Sequence, residues 1–254
     1  MRDKEKMKIL GVIPVRFASS RFPGKPLVMI NGRTMIRRVY EQAVQCSKLV
    51  KVIVATDNKA IYDHVRVFGG NVLMTGEFHN SGTERCVEVV DKLYLEGENY
   101  DYVINIQGDE PYIEPEQISQ VAECFSDPHT QLATLVKKIT SPVELSDPNV
   151  VKVVVDKDGY ALLFSRSVIP FIRGKEQHEW LSSATFYKHV GIYGYETSVL
   201  KKIVTLPVSA LEQAESLEQL RWLYHGYRIK TQMTEYESIA IDSPADLLKI
   251  TNSF

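Results

Sequence analysis

The first 125 residues switch repeatedly between two hydrophobic periods, and that alternation limits the fold more than any other feature of the chain. Lys8–Val15 is a short apolar run that empties into a loop rich in Pro, Ser and Gly, the pattern of a buried strand. Ile36, Val39, Tyr40, Ala43 and Val44 then recur at helical spacing, and Lys51–Ala55 is again strand-like. Ile61, Val65 and Phe68 mark a second helix, stopped by Gly69-Gly70, before a short strand at Val72–Met74. Cys86, Val89, Val90 and Leu93 predict a third helix, Tyr102–Ile106 a third clear strand, and Ile118, Val121, Ala122 and Phe125 a further helix. Strands and helices in this order build an α/β fold: a three-layer αβα core around a mostly parallel sheet. Ligands of such sheets bind beyond the carboxyl ends of the strands.

The pattern then changes. Val150–Val155 and Tyr160–Ser165 flank Asp156-Lys157-Asp158-Gly159, a strong hairpin signal. Gly191–Tyr195 reads as a strand, Leu211–Tyr224 as one long helix, Ile229–Met233 as a late strand, and Ser243-Pro244 as the start of a terminal helix. The expected division is an α/β core over residues 7–132, a smaller β-rich insertion over 133–206, and a return to the core over 207–254.

Charge excludes some partners and suggests another. The formal net charge is −2, so no global basic field recruits nucleic acid. No apolar run approaches the ~20 residues of a membrane helix, and the run Ile9–Val15 is too short and too soon met by Arg16 for a signal peptide. Three widely spaced cysteines, Cys46, Cys86 and Cys124, form no C-x-x-C and fit a reducing, cytoplasmic setting. Within this acidic protein, Met7–Tyr40 holds seven basic residues (Lys8, Arg16, Arg21, Lys25, Arg33, Arg37, Arg38) and no acid, the expected mark of a local anion site.

Much of that charge lies in the loop Pro14–Leu27, which leaves the first strand without a G-x-G-x-x-G or P-loop fingerprint. Its cations, two serines and glycine could cradle a polyphosphate, Arg16 bidentately and Lys25 as a point charge. Gln107-Gly108-Asp109-Glu110-Pro111 closes the strand Tyr102–Ile106, where the Asp109 carboxylate can hold Mg²⁺, although an ordinary turn accounts for these residue types too. In Asp242-Ser243-Pro244-Ala245-Asp246, helix capping is satisfied by Ser243 and Asp246, which frees Asp242 for a metal. Ser81-Gly82-Thr83-Glu84-Arg85 reads as a helix start, a place that also suits anions and ribose hydroxyls. His189 and Tyr193 stand four apart, on one face of a strand, and Glu218 reads as a surface charge on the long helix.

In order along the chain, the PxRxxSxRxPGKPL loop, SGTER, QGDEP, Phe164-Ser165-Arg166, HxGIYGY and Leu217-Glu218-Gln219-Leu220-Arg221 together resemble the 3-deoxy-manno-octulosonate (Kdo) cytidylyltransferases. The resemblance runs from about Ile9 to Leu248, with Val15, Val190 and Ser243 in place of the family's Ala, Leu and Thr, and it is poor over 171–188. It implies CTP-dependent activation of Kdo to CMP-Kdo, with release of pyrophosphate, for lipopolysaccharide synthesis. It implies a nucleotide site at Pro14, Arg16, Lys25, Ser81 and Arg85, with Lys25, Asp109 and Asp242 catalytic and magnesium on Asp109 and Asp242. Gln107, Arg166, His189, Tyr193 and Glu218 would line the sugar site, and a homodimer would join through the smaller part. A synthetase for another 3-deoxy-2-ulosonic acid would share these motifs. A metal-dependent glycosyltransferase would be expected to show D-x-D, whereas Asp109 is followed by Glu110-Pro111.

Overall fold

Every strand expected in the first half forms in the computed structural model, which describes residues 7–17, 22–237, 240, 241 and 243–251. β1 (Ile9–Val15) leads through the cationic loop and two short paired strands, β2 (Met29–Ile30) and β3 (Arg33–Thr34), to α1 (Met35–Ala43). β4 (Leu49–Thr56), α2 (Lys59–Val67), β5 (Val72–Met74), α3 (Gly82–Leu95), β6 (Tyr102–Asn105) and α4 (Pro115–Glu123) complete the alternation. Local chemistry sets the boundaries. Asn58 Oδ1 accepts from the amides of Ala60 and Ile61 to start α2, and Gly69 at φ 80° ends it. The Ser81 hydroxyl accepts from the Glu84 amide to start α3, as the sequence predicts.

The central sheet runs β5-β4-β1-β6, all parallel, then the antiparallel β10 (Tyr187–Glu196), then β7 (Leu132–Lys138) and β11 (Ile229–Met233), parallel to each other. One apolar cluster fills the face under α1, α2 and α4 (Ile13, Val39, Ile61, Ile104, Phe125), and another the face under α3 and α7 (Thr197–Ile203) (Val12, Val89, Tyr195, Leu200, Trp222). The three-layer αβα reading therefore holds.

The expected insertion does not. Of residues 133–206, β7 and β10 are strands of the central sheet, β10 pairing with β6 and β7 with β10 and β11. Only α5 (Pro142–Ser146), β8 (Lys152–Val155), β9 (Ala161–Ser165) and α6 (Trp180–Ser183) extend beyond it, around a small core of Ile139, Leu145, Trp180 and Phe186. The β8–β9 hairpin forms as predicted, with Gly159 at φ 76° and Asp156 Oδ1 accepting from the amides of Asp158 and Tyr160.

The long helix at 211–224 is also corrected. It is two short helices, α8 (Ala210–Glu215) and α9 (Gln219–Tyr224), parted at Ser216, which adopts φ 51°. No Gly or Pro marks the break. Tertiary bonds of Glu215 and Glu218 to two different segments outweigh a helical pattern that would otherwise continue. The terminal helix α10 (Pro244–Thr251) begins as expected: the Asp246 carboxylate accepts from the Ser243 amide, and the Ser243 hydroxyl accepts from the Asp246 amide.

Phe125 tests the core on the α4 side. It is 2% exposed, and its ring stacks on Tyr102 with centroids 4.3 Å apart. Phe125→Ala is expected to lower the free energy of unfolding by about 3–5 kcal/mol in urea titration. A loss below ~1 kcal/mol would mean that this layer is not tightly packed.

Candidate active site

Because β1 and β6 are parallel neighbours, with Val12 opposite Asn105, their carboxyl ends deliver the cationic loop and the Gln107–Pro111 segment to one place. The two segments pass so closely that a Cβ on Gly108 would lie 2.2 Å from Val15 Cγ1 and 3.2 Å from the Pro14 carbonyl, so only glycine fits. Gly24, at φ 71°, turns the loop into a 3-10 turn at Lys25–Leu27. The result is an ion pair. Lys25 Nζ donates to Asp109 Oδ2 at 2.8 Å, with the two side chains 13% and 27% exposed. The Ile241 amide donates to the Asp109 carbonyl at 3.0 Å, which brings the residue before Asp242 to Asp109. Asp242 itself lies outside the described residues, as do Ser19, Ser20 and Arg21.

At the ends of the same two strands is a cavity of about 170 Å³ lined by Pro14, Arg16, Ser81, Arg85 and Gln107, five residues singled out from sequence. A neighbouring cavity of about 370 Å³ shares Arg16 and Arg85 and adds Asp57, Asn58 and Glu77. A larger cavity, about 780 Å³, lies at the opposite edge of the sheet among Tyr94, Tyr100, Tyr102 and Glu196, away from every predicted site residue.

Not all of the basic segment serves the cleft. Arg33 and Arg37 pair with Glu41, and the Arg38 guanidinium donates to the carbonyls of Ile30 and Asn31. Arg85 lines both cavities, yet it is 4% exposed and donates to Asp57 Oδ2 at 2.7 Å, to Thr75 Oγ1 and to the Gly76 carbonyl. Arg85 thereby braces the wall that the two cavities share. Its partner Asp57 was missed, although it follows β4 as Gln107 follows β6, so the same strand-end rule could have found it.

The expected sugar residues gather on the β10 side. β10 bulges against β7 between Val190 and Tyr193, and Gln107 Nε2 donates to the Gly191 carbonyl inside that bulge at 2.8 Å. His189 and Tyr193 do share a face, with ring centroids 5.1 Å apart. His189 Nε2 lies 3.0 Å from Thr134 Oγ1, which also lies within hydrogen-bond distance of the Ile192 and Val190 carbonyls, at 2.8 and 3.2 Å. Burial pushes the His189 pKa down to about 3, so the ring is neutral. Tyr193 is 7% exposed, and its hydroxyl has no partner among the described residues. Trp222, missed from sequence, packs edge-on against it, and its indole nitrogen also has none.

Glu218 is not a surface charge. Its carboxylate accepts from the Ser81 hydroxyl at 3.1 Å and from the Thr83 hydroxyl at 2.7 Å, and burial raises its pKa against those two bonds. The start of α3 is thereby tied to α9. Arg166, at the end of β9, is half-buried beyond the Phe164–His189 contact and is held by main-chain carbonyls of Glu215 and Pro148.

No cluster of three or more His, Cys, Asp or Glu side chains able to hold a metal exists among the described residues. Magnesium shared with phosphates asks for only one or two protein carboxylates, and half-exposed Asp109 fits that need.

Comparison with known proteins shows the family. The cytidylyltransferase family model matches residues 10–231. The chain is 55% identical over 247 residues to a 3-deoxy-manno-octulosonate cytidylyltransferase of Parabacteroides distasonis, covering 96% of each. It is 52% identical over 244 residues to the enzyme of that name from Bacteroides thetaiotaomicron, covering 95% of this chain and 96% of the other. A solved structure of CMP:2-keto-3-deoxy-manno-octonic acid synthetase complexed with CTP superposes with a TM-score of 0.89 at 43% identity, covering 97% of this chain and 98% of that one. The sequence motifs, the sheet order and these full-length matches agree: the chain belongs to the cytidylyltransferase family, among the 3-deoxy-manno-octulosonate cytidylyltransferases.

Proposed function

We propose that this chain transfers CMP from CTP to the anomeric hydroxyl of Kdo and releases pyrophosphate, a step of lipopolysaccharide synthesis. The observation that carries the reading is the convergence, at the carboxyl ends of β1 and β6, of the Lys25–Asp109 pair, 2.8 Å long, and a cavity whose wall includes Arg16 and Gln107. A cation and an anion side by side suit a ligand that is a polyphosphate with its own metal. Arg16 and Lys25 hold the triphosphate, and Asp109 with Asp242 holds magnesium. Mg²⁺ held there would supply charge neutralisation to the phosphates. Kdo carries a carboxylate, so its approach to a triphosphate brings like charges together, and Arg166 offsets that repulsion. Gln107, fixed through the Gly191 carbonyl, and the neutral His189 ring orient the sugar hydroxyls. Positioning and charge neutralisation supply the catalysis; no protein nucleophile is needed.

A homodimer joined through the smaller part fits the exposed apolar residues there: Val143, Leu162 on β9, and Phe171. Three buried free cysteines fit work in the cytoplasm, and no helix among the described residues is long and apolar enough to cross a membrane.

The direct test is pyrophosphate release with Kdo and each nucleoside triphosphate: CTP with Kdo should turn over, and equal rates with UTP would overturn the reading. Lys25→Ala is expected to raise the KM for CTP and lower turnover by ~10-fold or more, the worth of a charge-assisted contact. Unchanged CTP kinetics in a folded variant would remove Lys25 from the phosphate site. Asp109→Asn and Asp242→Asn are each expected to cut kcat by at least ~100-fold with little change in melting temperature. Early melting with normal turnover would make either residue structural.

His189 predicts a pH dependence. Its pKa is depressed from 6.5 to about 3 on folding. Between those values the unfolded chain binds the extra proton, so stability falls as pH falls, by at most about 1.4 kcal/mol per pH unit. His189→Gln should flatten this slope, and an NMR titration of His189 that shows a midpoint near 6.5 would contradict it.

A further inference from the structure

The segment around Arg166 is fixed far more tightly than an exposed strand end requires. The Arg166 amide donates to Glu215 Oε2 at 2.8 Å, and the neighbouring Ser165 hydroxyl donates to Glu215 Oε1 at 2.6 Å. Arg166 Nε donates to the Glu215 carbonyl at 2.7 Å, and Nη1 donates to the Pro148 carbonyl at 3.1 Å. From the other side, Lys152 Nζ donates to the Arg166 carbonyl at 3.0 Å and to the carbonyls of Asp147 and Val150 at 2.7 and 2.8 Å. Both main-chain groups of Arg166 and two of its five guanidinium N–H donors are thus committed, leaving three donors in one orientation.

Neither Glu215 nor Lys152 sits where helix or core energetics would put it. Glu215 is the last residue of α8, at the negative end of the helix, where a carboxylate is unfavourable. Lys152 is 0% exposed, and its ammonium is bonded by carbonyls alone. A lysine buried this way is rare, and burial pushes its pKa down. What the two residues share is Arg166: an anion on its amide side and a cation on its carbonyl side.

We propose that Glu215 and Lys152 are positioning residues that fix the Arg166 guanidinium for the carboxylate of the acceptor sugar. The proposal rests on the reading of Arg166 as a sugar-site residue. The trio Glu215, Arg166 and Lys152 keeps a net positive charge, so the anchor does not cancel the field that the sugar carboxylate meets. The joint at Ser216 lets the same short stretch send Glu215 to Arg166 and Glu218 to Ser81 and Thr83.

A double-mutant cycle on the full-length enzyme tests this, with KM for Kdo, KM for CTP and kcat measured for Glu215→Ala, Arg166→Ala and the pair. Glu215→Ala should raise the KM for Kdo about tenfold or more and change the KM for CTP less than twofold. In the Arg166→Ala background, Glu215→Ala should add less than a further twofold, because its effect passes through the guanidinium. Glu215→Gln, which keeps the volume and one acceptor oxygen, and Lys152→Met should act in the same direction, and either replaces Glu215→Ala should that variant not fold. Additive effects of the two substitutions, or an equal loss of CTP affinity, would make Glu215 a general structural residue and overturn the proposal. If Arg166→Ala raises the KM for Kdo and the Glu215 and Lys152 variants do not, the positioning idea alone is wrong. If Arg166→Ala itself leaves the KM for Kdo unchanged, the sugar-site reading of Arg166 falls and takes the proposal with it.

Discussion

The ion pair between Lys25 and Asp109 is the contact on which the rest of the site depends. Its partners are 84 residues apart in sequence and 2.8 Å apart in space. Only a parallel β1–β6 pair delivers both to one edge, since an antiparallel neighbour would send Asp109 to the far side of the sheet. The approach also needs Gly108, because any Cβ there would strike Val15. Partly buried charges of opposite sign hold each other in place, whereas either one alone would be an uncompensated charge.

Around that pair, two carboxylates on the α8–α9 joint reach opposite walls. Glu218 ties the start of α3 to the C-terminal part of the chain, and Glu215 ties the end of β9 to it. The start of α3 and the end of β9 are therefore braced by residues three apart. Such bracing holds reacting groups in register, which is most of what phosphoryl transfer asks of a protein.

Local rules made much of this legible. Alternating periods fixed the parallel sheet, Ser81 and Asn58 their helix starts, and Asp156–Gly159 the hairpin. The strand-end rule put Arg16, Gln107 and Asp109 at one edge, where they lie. Long-range bonding hid the rest. Nothing near Ser216 marks a helix break, because the cause is what Glu215 and Glu218 touch. The charge of Arg85 suggested a ligand, but its bond to Asp57 shows only once β4 lies beside β1. β7 and β10 read as part of a separate lobe because their pairing with β6 and β11 spans long stretches of chain.

A crystal structure with CTP and Mg²⁺ bound tests the central claim most directly. Lys25 Nζ is expected to leave Asp109 Oδ2 for a phosphate oxygen, with the Asp109 carboxylate turned to the metal and Arg16 closed on the triphosphate. A nucleotide bound elsewhere, with Lys25 and Asp109 still 2.8 Å apart, would contradict it.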